Sequence, residues 1–162
     1  MSFRSISKPA ALFVAAFTVT TASAQMPNPY GPSITADNAK KVAAGALAEA
    51  RKNGWTQAAA VVDTAGELVY FEKMDGTQAA SIDIAIDKAR ASARFKRPTK
   101  VLQDALAAGG EGWRFLTLRG VVAAEGGVPL LMDGKIVGAV GISGGTGAQD
   151  GQAANAGVGG LK

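Results

Sequence analysis

The order of segments in this sequence predicts an α+β domain, an antiparallel sheet covered by helices. Three observations carry that expectation. A segment of helical period opens the folded part, two pairs of short apolar runs each joined by turn chemistry read as hairpins, and further helical segments separate the two pairs.

In chain order, Thr35 can cap a helix running to Lys52, with Asp37 in its first turn and Ala39, Val42, Ala43, Ala46 and Ala50 on one face. Asn53-Gly54 stops it. Gln57 to Asp63 and Glu67 to Lys73 are apolar runs flanking Asp63-Thr64-Ala65-Gly66, which makes a first hairpin. Gln78 to Phe95 then places Ile82, Ile86, Ala89 and Ala93 on one helix face, with Asp83, Asp87, Arg90 and Arg94 along another. After Pro98, Thr99 to Ala107 reads as a shorter helix ended by Gly109-Gly110. Phe115 to Ala124 reads as a strand or an irregular extended segment. Val128 to Met132 and Lys135 to Ser143 flank Asp133-Gly134, a pair suited to a type I′ turn, and form the second hairpin. Gln149 to Ala156 fits a final short helix, weakened at Gly151.

Ahead of the domain, Arg4 and Lys8 precede an apolar run from Ala10 to Val19 and the small-residue sequence Ala22-Ser23-Ala24. That order has the form of a secretory signal peptide over residues 1–24, cleaved before Gln25. The run is short for a bilayer span, so no membrane association is expected after cleavage. Periplasmic or secreted localisation follows. Residues 25–34, with three prolines from Pro27 to Pro32, read as an extended lead-in, and residues 35–162 as one domain.

Composition excludes much chemistry. The 162 residues contain no Cys and no His, which removes disulfides, Cys/His zinc sites, Ser-His-Asp and Cys-His catalysis, and imidazole ligation of haem iron. The formal charge of +4 includes Arg4 and Lys8 of the leader, so the remaining chain carries little excess. Lys88, Arg90, Arg94, Lys96, Arg97 and Lys100 nevertheless lie together without an intervening acid. Without interleaved aromatics this cluster does not suit nucleic acid; it suits either solvent or a small anionic ligand. Lys88, seven positions after Ser81 and seven before Phe95, lies on a stripe apart from the Asp83/Asp87/Arg90/Arg94 face, and both readings stay open for it.

The remaining candidates are weaker. Gly141 to Gly147 is glycine-rich, but it follows a hairpin and lacks the Lys-Ser or Lys-Thr of a phosphate loop. Asp83 and Asp87 alone make a poor cation site, and no metal is expected. Asp75 and Asp150 sit in Gly-flanked turns, where an aspartate commonly caps its own backbone; as a general base either would need a cleft.

Four segments together resemble the GlcG/HbpS family, whose haem-degrading-like domain also occurs at the C-terminus of PduO-type proteins. They are Val61-Val62-Asp63 with Gly66, Lys73-Met74-Asp75-Gly76 followed by Ile86-Asp87-Lys88-Ala89, Gly126-Gly127-Val128-Pro129-Leu130 with Asp133-Gly134, and Val137 to Gly144 ending in Gln149-Asp150. The resemblance implies a profilin-like α/β/α arrangement with a five-stranded antiparallel sheet, assembly into homo-oligomers, and binding of haem or related tetrapyrroles in some exported members. The sequence departs from the pattern at Ala148, where an acidic residue commonly precedes Gln-Asp, and in having no histidine. Any axial ligand would therefore come from Met74, Met132, Tyr30, Tyr70, a lysine or a hydroxyl such as Thr99.

The expectation is an exported, oligomeric binder of haem or another anionic tetrapyrrole, with no catalytic residues assigned. Propionates would pair with Lys88, Arg94 or Arg97, while Met74, Phe95 and Gly126-Gly127-Val128-Pro129 line an apolar wall; Asp75 and Thr99 complete the candidate ligand set. Two alternatives stand beside it. One is an enzyme on a small anionic metabolite with Asp75 or Asp150 as base and Lys88 as clamp; the other is a structural or sensor-accessory protein whose motifs build a subunit interface.

Overall fold

The computed structural model describes residues 28–161; the expected signal peptide over 1–24 lies outside the described residues. The elements run α1 (Ala36–Lys52), β1 (Ala58–Val62), β2 (Leu68–Lys73), α2 (Ser81–Phe95), α3 (Thr99–Ala107), a 3₁₀ helix (Gly110–Leu116), β3 (Gly127–Met132), β4 (Lys135–Ser143) and α4 (Gly147–Val158). The sheet is antiparallel with order β2-β1-β4-β3. Both hairpins form as the turn residues require, and Asp133 and Gly134 both take positive φ, at 49° and 71°, as a type I′ turn demands.

The sheet has four strands among the described residues, not the five that the resemblance implied. Two segments come near to a fifth. Tyr30 of the lead-in makes a single parallel bridge to Ile136, beside the part of β4 that extends beyond β1; Pro29 and Pro32 have no N–H to lengthen that ladder. Phe115 to Ala124 forms no strand: Phe115 and Leu116 end the 3₁₀ helix, and Thr117 N–H donates to Arg114 O (3.1 Å) and Val121 N–H to Leu118 O (3.4 Å). Those i→i+3 bonds use donors that a strand would offer to its neighbour.

Helices cover both faces, giving three layers. On one face, Ala39, Val42, Ala43, Ala46 and Leu47 of α1 meet Ala153 and Ala154 of α4 over Ala59, Val61, Val140 and Ile142. On the other, Ala85, Ala89 and Ala93 of α2 pack on Ala58, Ala60, Val62 and Ala139. This face is rotated from the expected one, because Ile82 lies 37% exposed while Ala85 is fully buried. The cause is close approach: a Cβ at Gly141 of β4 would collide with the Ala85 carbonyl and the Ala89 amide, so only small side chains fit between α2 and the sheet. Wholly buried β1 therefore reads Ala-Ala-Ala-Val-Val.

α4 begins at Gly147, two residues earlier than expected, because Thr146 and Gln149 form a capping box. Thr146 Oγ1 accepts from Gln149 N–H (3.4 Å) and Gln149 Oε1 accepts from Thr146 N–H (2.9 Å). The box starts the helix so that Asp150 lands inside the molecule.

Candidate functional site

Where α2, the end of β4 and the start of α4 converge, the fold buries a charged pair. Lys88 Nζ lies 2.7 Å from Asp150 Oδ2, with side chains only 4% and 3% exposed. Lys88 also donates to the Ile142 carbonyl at 3.0 Å. Asp150 Oδ1 accepts from the Gln57 amide and from Gly145 N–H, each at 2.9 Å. Burial pushes the Asp150 carboxyl above the ordinary aspartate value, opposed by the Lys88 ammonium, the Gly145 N–H and the Gln57 amide. Nearby, Ser143 and Ser81 hydroxyls pair at 3.1 Å, so the two buried polar side chains in the first half of α2, Ser81 and Lys88, both have partners on β4 or beyond.

The Gly126-Gly127 segment closes this centre. Gly126 holds φ at +128°, and a Cβ there would approach Ile142 O at 2.7 Å and both Asp150 Cβ and Lys88 Nζ at 2.9 Å. Gly127 N–H donates to Thr99 Oγ1 at 2.9 Å, with Thr99 fully buried at the first turn of α3. Outside the same segment lies a cleft of about 270 Å³ whose walls include Pro98, Val101 and Val128, with Lys100, Glu125 and Asn155 around them. Lys100 donates to both oxygens of Asp104, at 2.8 and 2.9 Å. Glu125 lies over the first turns of α4, close against Gly151.

Of the residues singled out in the sequence, the fold brings Lys88, Thr99, Gly126 and Gly127 together. Lys88 is engaged by Asp150, and Thr99 accepts the Gly127 amide. Phe95 and Arg97 stand at the end of α2 just before the cleft, Arg97 half-buried with its Nε donating to Phe95 O at 2.9 Å. Pro129 is half-buried on β3. Arg94 lies elsewhere, donating to Ala65 O at 2.8 Å and facing Glu67 at 3.4 Å, beside the turn of the first hairpin. Met74 packs against the α1/α4 side of the core, and Asp75 is exposed. Tyr30 donates to Ala93 O at 2.9 Å, and Tyr70 to Glu72 at 3.2 Å. Among the described residues, no cluster of three or more acidic side chains could hold a metal ion.

Gln57, Glu125 and Asn155 did not stand out in the sequence. Gln57 carried one signal: it is the last polar residue before five consecutive buried apolar ones, where burial of its amide demands a partner. Chemically, the inner centre is a sealed ion pair that ties three layers together, and the outer cleft presents apolar walls with charged groups at its edge. A cavity of about 270 Å³ falls just below the roughly 300–1,000 Å³ that encloses a drug-sized ligand. It is open to solvent along one side and too small to enclose a large planar ligand.

A three-layer helix–sheet–helix domain with this glycine-floored cleft defines a class, and comparison identifies it: the family model for the haem degrading protein HbpS-like family matches residues 34–159, and the chain belongs to that family. Among curated proteins, Protein GlcG of Escherichia coli K12 is 39% identical over 105 residues, covering 65% of this chain and 77% of that protein. A double mutant of Streptomyces reticuli HbpS superposes with TM-score 0.75 at 30% identity, covering 95% of this chain and 99% of that one. A PduOC:Heme complex shares the fold with TM-score 0.73 at 24% identity, covering 80% of this chain and 96% of that one.

Proposed function

We propose that this chain binds haem or a related anionic tetrapyrrole at the cleft beside α3, without imidazole ligation, and that it does so as an exported homo-oligomer. The observation that carries the reading is the match of the HbpS-like family model over residues 34–159, which takes in every strand and helix of the sandwich. The site's chemistry supports it. Pro98, Val101 and Val128 offer apolar contact to a ring edge, and Arg97, which makes no ion pair among the described residues, immediately precedes Pro98 of the cleft wall and is the cation assigned to a carboxylate. Haem would supply the redox-active iron; the chain's own part is to hold the ring edge and its carboxylates.

Hemin titration of the purified protein tests this. A saturable Soret shift is expected, weakened by Arg97→Ala and by Val101→Asp, and unchanged by Asp75→Asn. Colourless protein with every porphyrin tried overturns the reading. Export is checked separately by sequencing the N-terminus of protein recovered outside the cytoplasm: it should start at Gln25, and retention of residues 1–24 would count against secretion.

A further inference from the structure

The segment after α3 is exposed in a way the rest of the fold is not. Trp113 is 64% exposed and Leu116 71%, the largest values among the exposed large apolar side chains. No residue of the seven-residue 3₁₀ helix is buried, although such helices longer than three or four residues are uncommon and have poorer hydrogen-bond geometry. Nothing within one copy of the described chain compensates for exposing these side chains. Beside them runs an open groove of about 360 Å³, floored by small residues including Ala105, Ala108 and Gly112 and rimmed by Glu111 and Arg114. One surface thus carries a projecting apolar pair, a shallow receptor for it, and charges of both signs. Neither Glu111 nor Arg114 is in an ion pair among the described residues.

We infer that the α3–3₁₀ arm is a two-fold self-association surface, in which Trp113 and Leu116 of each copy enter the groove of a second copy and Glu111 of one faces Arg114 of the other. The occupant is a second copy because a two-fold contact requires a patch complementary to itself, with knob and groove, acid and base, on the same face. A strand-edge or polar partner would leave the two apolar side chains uncovered. Trp is among the residue types that dominate interface energies. This locates the oligomer contact that the proposed function assumes, and rests on that reading.

The test uses the chain from residue 25 onward. Sedimentation across a dilution series should show association, and Trp113→Asp with Leu116→Asp should weaken it by about a hundredfold or more. The double variant should keep the parent's unfolding midpoint at the dilution where both are single copies, since neither side chain holds the fold. In a Trp55→Phe background, Trp113 is the only indole; its emission should be blue-shifted and shielded from iodide when concentrated and become exposed on dilution. Glu111→Arg should weaken association, and adding Arg114→Glu should restore it. A single copy at every concentration overturns both this inference and the oligomer reading, and leaves the arm to a different protein. Association that survives the double variant, with Trp113 of the Trp55→Phe protein still quenchable when concentrated, overturns the arm alone.

Discussion

Lys88 and Asp150 show how a buried charge is kept. Each is almost fully removed from water, yet every strong demand has an answer: Lys88 reaches Asp150 and Ile142 O, and Asp150 also receives Gln57 and Gly145. Removing one partner strands the other. Lys88→Met and Asp150→Leu should each cost about 3–5 kcal/mol, whereas the double variant should cost clearly less than their sum. Urea denaturation of the four proteins in the cycle reads this, and additive losses would show that the pair is not coupled. The spacing of Ser81 and Lys88 already set them on a stripe of their own, so the inward turn of Lys88 was half legible. Its partner was not, because sixty-two residues separate Lys88 from Asp150 and only the sandwich brings them together.

At the scale of elements, local chemistry was most legible where one residue pair dictates a conformation. Asp133-Gly134 fixed the second hairpin, and the apolar period of α1 matched its buried face. It misled between Phe115 and Ala124, where a strand was one expectation, since Phe115 and Leu116 close a 3₁₀ helix and Leu118 lies in the turn that follows. The face of α2 was also misread, because periodicity weighs Ile82 above Ala85 and cannot see how close Gly141 draws the helix. α4 offers a test of local signals. Its buried face is mostly alanine and glycine, so it depends on the Thr146/Gln149 box to start in register. Thr146→Ala should lower stability by about 1 kcal/mol; because Asp150 lies in the turn that follows, the variant should also speed exchange of the Gly145 amide. Hydrogen exchange followed by NMR would check it, and an unchanged Gly145 rate would separate the cap from the buried pair.

For the molecule as a whole, the lead-in stands outside the sandwich yet is fastened to it. Asn28 Nδ2 donates to Gly134 O, Ile136 N–H to Pro29 O, Gly31 N–H to Ile136 O and Ile34 N–H to Val137 O, at 2.8 to 2.9 Å. Tyr30 crosses to the end of α2, donating to Ala93 O while the Lys96 ammonium lies 4.1 Å from its ring centroid. These contacts join the first residues of β4 to the last turn of α2. The family match, by contrast, begins at residue 34, and so does the buried core, with Ile34 as its first member. Two consequences follow for a chain that starts at Ser33. It should fold, because every buried apolar residue is retained, and its denaturant dependence should stay close to the parent's since little core area is lost. It should nonetheless be less stable by about 2–4 kcal/mol, given about 0.5–1.5 kcal/mol for each of the hydrogen bonds removed and their partial replacement by water. Equal midpoints for the two chains in urea would show that the strap rests on the sheet without holding it; a chain from Ser33 that fails to fold would show that the lead-in is part of the core.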